Sequence, residues 1–196
     1  HHGQTSVATM LLAGIAIGAL SGAVSGLLVY LADDKQLRDL TFWGLGSLAG
    51  ATWAKVIGAG PLMLISIVIA STLGRGLNGL ALGEATAAHI GISTQKLKNI
   101  SICTVAAATG AAVSVSGSIG FIGIIVPHLL RKTLGPDHRT LILNSGFLGA
   151  ITLIFSDMIS RVIIAPSELP IGIVTAILGA PVFLWILLRQ RDTRIW

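Results

Sequence analysis

Charge is what this sequence has least of. Only 11% of its 196 residues are Asp, Glu, Lys or Arg, while 53% are hydrophobic and the mean hydropathy is +0.86. A soluble domain carries about 25% charged residues, so this chain lacks the polar surface to cover a globule. Its composition is that of an integral membrane protein. There is one cysteine, Cys103, which excludes an internal disulfide and any multi-cysteine metal site. In its apolar run it reads as a small packing residue. No GxxxxGK[ST] loop occurs anywhere, so any ATP-driven step must draw on an ATPase in another chain. The five histidines, His1, His2, His89, His128 and His138, have no metal-ligating spacing. The opening "HHGQTSVATM" has neither a basic segment ahead of an apolar one nor an initiator Met. It suggests a piece of a longer chain, or tag remnants.

What is plentiful is glycine, 24 residues, while aromatics make up only 5%. Small residues let membrane helices approach closely, which predicts a packed bundle and not isolated anchors. Spans of roughly 20 apolar residues are expected at about 8–32, 56–74, 141–160 and 171–188. The apolar stretch from Asn99 to Leu130 would rise about 48 Å as one helix, well beyond a hydrocarbon core of about 30 Å. "SGSIG" at Ser116–Gly120 supplies a break. The stretch is therefore expected to make two spans, about 99–116 and a shorter 119–133. Six spans put both termini on one side.

The basic residues agree with that count. Arg75, Lys96, Lys98, Arg131, Lys132, Arg139, Arg189, Arg191 and Arg194 fall on one side, and Lys35, Arg38, Lys55 and Arg161 on the other. Nine against four marks the first side as cytoplasmic. The net charge of +5 is thus loop asymmetry and not a nucleic-acid footprint. Two loops are more than connectors. Residues 33–48, with Leu37, Leu40 and Trp43 among charges, read as an outer interfacial helix. Residues 76–96 are too apolar for a solvated loop and too interrupted for a span. They read as short helices packed on the bundle or on a soluble partner.

Candidate chemistry is thin. His128 after Pro127 could serve as a ligand or proton carrier, but with no other His, Asp or Glu expected at its depth it reads first as a polar residue at a kink near the cytoplasmic interface. Ser118 with His128 is the only arrangement suggesting an intramembrane hydrolase, and no oxyanion donor cluster accompanies it. Asp157 and Arg161 share a helix face four residues apart and either neutralise each other or present Arg161 outward. Asp157 is also the residue a stand-alone ion-coupled carrier would use. Glu84 after Gly83 either begins a short helix or belongs to a docking surface.

Several long motifs carry a resemblance. "GSIGFIGIIVPHLLRKTLGPDHR" and "SDMISRVIIAPSELPIGIVTAILGAPVFLWILLR", with "LLAGIAIGA", "FWGLGSLAGATW" and "LNGLALGEATAAHIGI" in order before them, resemble the FecCD/BtuC-type permease subunits of bacterial ABC importers for iron–siderophores, haem and cobalamin. "LADDKQLRDLTFWGLGSLAGATW" is most similar to the hemin permeases. The resemblance implies an all-α integral membrane bundle corresponding to the last six helices of a ten-helix type II importer permease, in the bacterial inner membrane. It implies no enzyme activity and no bound cofactor in this chain, with ATP and Mg used by a partner ATPase. The implied partners are a second permease copy as a homodimer, the cytoplasmic ATPase, a periplasmic substrate-binding protein and membrane lipid. By the same resemblance, Leu82, Gly83, Glu84 and Ala88 belong to the helices that couple to the ATPase. Arg161 receives an acidic residue of the binding protein, and Ser6 and Thr9 begin the helix that lines the translocation path near its gate. No single gate residue is matched.

Overall fold

Helices account for the regular structure throughout the residues that the computed structural model describes, 7–164, 167 and 169–192. Two units make up the chain, His1–Phe42 and Trp43–Trp196. The first holds α1 (Val7–Leu31) and most of α2 (Asp34–Leu45). At about 1.5 Å per residue, the 25 residues of α1 are long enough to cross a bilayer. α1 is apolar on every side, as expected of a helix solvated by lipid. Glycines 14, 18, 22 and 26 recur every fourth position and leave one bare ridge along it. α2 begins in a capping box: Asp33 Oδ1 accepts from the Gln36 backbone N–H at 2.7 Å, and Gln36 Oε1 accepts from the Asp33 N–H at 3.2 Å. The expected interfacial helix is thus a helix, with its first-turn carboxylate Asp34 favourably placed on the dipole.

The second unit is a bundle of α3 (Trp53–Thr72), α4 (Gly74–Ala81), α5 (Glu84–His89), α6 (Thr94–Ser116), α7 (Ile122–Leu134), α8 (His138–Ile163) and α9 (Ile171–Asp192). α3 packs along α6, and α7 along α8 and α9. α1, α3, α6 and α8 are each long and apolar enough to cross a membrane. The chain breaks after Ser116, where the "SGSIG" stretch predicts it. α7 has 13 residues, which rise only about 20 Å. Its Pro127 lacks the N–H that would close on the Gly123 carbonyl. α6 starts at Thr94, five residues ahead of the expected span, because "STQKLK" continues the helix without a breaker.

The break is held by close backbone packing. Gly117 has φ +71°, and a Cβ there would run into the Trp43 carbonyl. The Ser47 N–H donates to the Ser116 carbonyl at 2.8 Å. Gly172 at the start of α9 faces the Leu45 carbonyl at the same junction. One end of the second unit is therefore tied by backbone contacts among the α2–α3 loop, the α6–α7 turn and the start of α9.

Gly117→Ala places a side chain in both a left-handed conformation and an occupied space, and should cost on the order of 1–3 kcal/mol. Thermal unfolding of the purified protein should show the lowered midpoint. Gly110→Ala on α6, where a Cβ meets nothing within 4 Å, should leave the midpoint unchanged or raise it.

Candidate functional site

The opposite end of the second unit gathers most of the candidate residues. α4 and α5 are too short to stand alone as helices in water, so their position depends on what they are tied to. Gly83 joins them with φ +105° and ψ 149°, a backbone region that only glycine occupies readily. The sharp reversal leaves Leu82 69% exposed and brings Glu84 to the first turn of α5. Ala87 is fully buried against the bundle while Ala88, one position on, is exposed. Leu82, Ala88 and Ile90 thus leave the α4–α5 segment with an apolar outward surface.

Two sets of polar contacts fix the segment to the long helices. Lys98 Nζ on α6 lies 2.6 Å from Glu84 Oε1, with the Lys98 side chain 11% exposed and that of Glu84 55%. This ion pair crosses from the α5 N-terminus to the second turn of α6. Asn78 on α4 is the second anchor. Its Nδ2 donates to Asp137 Oδ1 at 2.6 Å, and its Oδ1 accepts from the His138 backbone N–H at 2.9 Å. His138 Nδ1 lies 2.8 Å from the same Asn78 oxygen, so the tautomer protonated at Nδ1 donates to it as well. Asp137 also caps α8 by accepting from the Arg139 N–H at 2.9 Å. One side chain on a two-turn helix therefore reads the first turn of a 26-residue one.

The other predicted residues lie elsewhere. Arg161 is near the far end of α8, its Nε 2.8 Å from Asp157 Oδ2 and the side chains 45% and 22% exposed. The pair neutralises itself, and it also holds the guanidinium in a defined place at the helix end. Thr9 is on α1 in the first unit, and Ser6 lies outside the described residues, as does Glu168. His128 is partly buried on α7, with its Nε2 shielded and without a protein partner. It sits about 9 Å along the axis from the first residue of α7, whereas Ser118 precedes the helix. The two are not a nucleophile–base pair, so the hydrolase arrangement is not built. No cluster of three or more His, Cys, Asp or Glu able to hold a metal occurs among the described residues. Lys132 Nζ rests 5.4 Å from the Trp185 ring centre, joining the last turn of α7 to α9.

Lys98, Asn78 and Asp137 have no signal in the sequence that marks them. Each partner is 14 to 60 positions away, and no periodicity links them. The Asn78 hydrogen bond, with help from the Arg139 N–H, holds the Asp137 carboxyl below its ordinary value of 3.8. A lowered carboxyl favours the folded state above that ordinary value, and the benefit fades as pH falls through the lower, folded value. Asp137→Asn should therefore speed amide exchange in α4 and the first turn of α8 at neutral pH. The difference from the parent protein should vanish below the ordinary carboxyl range, as read by hydrogen-exchange mass spectrometry.

Comparisons with known proteins place this arrangement. A family model described as the FecCD transport family matches residues 1–189. The hemin transport system permease protein HmuU of Yersinia pestis is 44% identical over 192 residues, 98% of this chain and 58% of that protein. The vitamin B12 import system permease protein BtuC of Vibrio cholerae is 42% identical over 191 residues, 97% of this chain and 57% of that protein. The chain thus spans 57–58% of the length of these two relatives. A solved structure described as an inward-facing ABC transporter of metal-chelate type superposes with a TM-score of 0.88 at 31% identity, over 94% of this chain and 60% of that one. The all-α fold is that of an integral membrane ABC permease, and on a match along nearly its whole length the chain belongs to the FecCD transport family.

Proposed function

We propose that the chain is part of the transmembrane permease of an ATP-binding cassette importer that moves an iron chelate, haem first among them, from periplasm to cytoplasm. The observation that carries this reading is 44% identity over 98% of the chain to a hemin transport permease. The 42% identity to a vitamin B12 permease supports cobalamin as the second reading. In both readings the permease is multi-pass in the inner membrane and the termini of this chain are cytoplasmic. It performs no covalent chemistry and binds no cofactor, and a separate ATPase uses ATP and Mg.

The mechanism proposed for the α4–α5 segment follows from its anchors. The ATPase docks on the apolar surface around Leu82, Gly83, Glu84 and Ala88. Because Glu84 is tied to Lys98, and Asn78 to Asp137 and His138, displacement of the segment loads α6 and α8 together. Packed elements with two discrete arrangements transmit such a load. At the other end of α8, Arg161 receives an acidic residue of the periplasmic binding protein. The path is lined from the start of α1, near Ser6 and Thr9, and is completed by a second permease copy. A self-contained ion-coupled carrier needs a carboxylate free in the bundle, and Asp157 is paired with Arg161.

Substitutions in the full-length protein test the two docking claims. Gly83→Val forces a branched residue into φ +105° and should abolish co-purification of the ATPase while the permease still inserts. Lys98→Met should retain docking but lower transport-coupled ATP hydrolysis by about tenfold, the effect of roughly 1.4 kcal/mol. Normal uptake in both variants would sink the coupling role. Arg161→Glu should stop uptake with assembly intact, and reversing a charge on the binding protein should restore it. Calorimetry of the cognate binding protein with haem and with cobalamin separates the two substrates.

A further inference from the structure

α3 carries Trp53 and Lys55 in its first turn. Trp53 is 81% exposed, and an exposed tryptophan at the end of a membrane helix settles at the level of the lipid headgroups. A cation in the first turn works against the helix dipole. Lys55 nonetheless stands there, with no carboxylate within ion-pairing distance among the described residues. Its Nζ donates to the Gly50 carbonyl at 2.8 Å while the residue stays exposed. The α2–α3 loop thus holds an uncompensated positive charge at the headgroup end of the helix.

Two apolar grooves start from that lysine. Around α3, Val56, Gly60, Met63 and Ile67 fall on one side of the buried Ala59, and Gly58 and Leu62 on the other. The first four, with Ser116 of α6, line a groove of about 460 Å³ whose walls are almost wholly apolar. The other two, with Ala111 and Ser114 of α6, line one of about 300 Å³. Lys55, Ala59 and Val115 are common to both. From Lys55 to Ile67 the helix rises about 18 Å, and half of a hydrocarbon core is about 15 Å. The larger groove therefore runs from the headgroup level to the middle of a bilayer.

We propose that Lys55 and these two grooves bind one anionic glycerophospholipid of the surrounding bilayer. Its phosphate lies on Lys55 Nζ, one acyl chain fills the larger groove, and the upper part of the other enters the smaller. A molecule with one anionic head and two apolar tails matches one cation at the head of two apolar grooves. A protein helix laid over this face of α3 would bury the Lys55 charge and leave it to be matched separately. The larger groove also reaches the junction where the Ser47 N–H meets the Ser116 carbonyl, so the lipid braces the end of the bundle that backbone contacts tie. The site does not depend on what the protein carries.

Photocrosslinking tests it, with phosphatidylglycerol that carries a diazirine on one acyl chain, in nanodiscs of the full-length protein, the labelled residues being mapped by mass spectrometry. Met63 and Ile67 should be labelled several-fold more than Ile57 and Ile65, which are exposed on the open face of the same helix. Unlabelled phosphatidylglycerol should compete better than phosphatidylethanolamine. Lys55→Met should lower the groove labelling several-fold and abolish that preference, while Lys55→Arg, which keeps the charge, should retain both. Gly60→Leu, at a position where a Cβ meets only the Val56 side chain at 3.9 Å, should fill the groove and lower the labelling with the charge in place. It keeps the test open if Lys55→Met does not assemble. Equal labelling on the two faces of α3 would mean ordinary bilayer lipid and overturns the site. So does groove labelling that Lys55→Met and Gly60→Leu leave unchanged. Absence of labelling at Met63 and Ile67, as when another helix of the full-length protein covers them, overturns it equally.

Discussion

Hydrocarbon offers no partner to an N–H or a C=O, so a chain with this little charge must satisfy its backbone from within. That constraint orders everything else here. It makes the long segments helical, sends side-chain hydroxyls such as Ser66 and Thr152 back onto their own helices, and confines irregular backbone to the two ends of the bundle. At one end, close packing does the work: the Ser47 N–H meets the Ser116 carbonyl, and Gly117 lets the α6–α7 turn sit on Trp43. At the other end the same requirement is met by side chains, with Asn78, Asp137 and His138 satisfying one another and the first N–H groups of α8. Among the described residues, the buried side-chain atoms that do not follow this rule are Ser101 Oγ, Ser145 Oγ and His128 Nε2.

How much of this the sequence discloses depends on whether the signal is local. The break at Ser116–Gly120 is legible because one helix over the whole apolar stretch would be too long for a bilayer, and glycine marks where it must end. The short helices α4 and α5 are legible in kind, since "LNGLALGEATAAHIG" is too apolar for a loop and too interrupted for a span. The Asp157–Arg161 pair is legible because four residues is one helical repeat. The boundary between the short-helix segment and α6 is misplaced by a few residues, since nothing in "GISTQKLK" marks where a membrane begins. The ties that hold the candidate site, Glu84 to Lys98 and Asn78 to His138, are contacts between different helices. Charge type alone assigns such residues to a side of the membrane and not to a partner.

Family membership and physical placement contribute different things to the functional reading. The likeness to hemin and vitamin B12 permeases supports the proposed class of cargo, and two relatives of nearly equal identity do not separate the two proposed cargoes. The placement supplies the mechanical part. A short helix with a single glycine reversal and two polar anchors has little stability of its own. Its position is therefore set by what it touches, which suits the docking role proposed for it.

α8 is the element through which the two ends meet. Its 26 residues rise about 39 Å, and its first turn is bound by Asn78 while Arg161 stands in its last. A continuous helix of this length transmits tilt more faithfully than a chain of loops, because its backbone bonds would have to break for one end to move alone. It contains no proline, whereas α3, α7 and α9 each contain one. Helices kink at proline and also at Gly/Ser pairs; α8 has Ser145–Gly146 in its interior, and it packs against α7 and α9. Movement imposed at the Asn78 latch acts on the first turn of the same helix whose last turn holds Arg161. By this geometry a segment of two short helices at one end can be felt at an ion pair near the other.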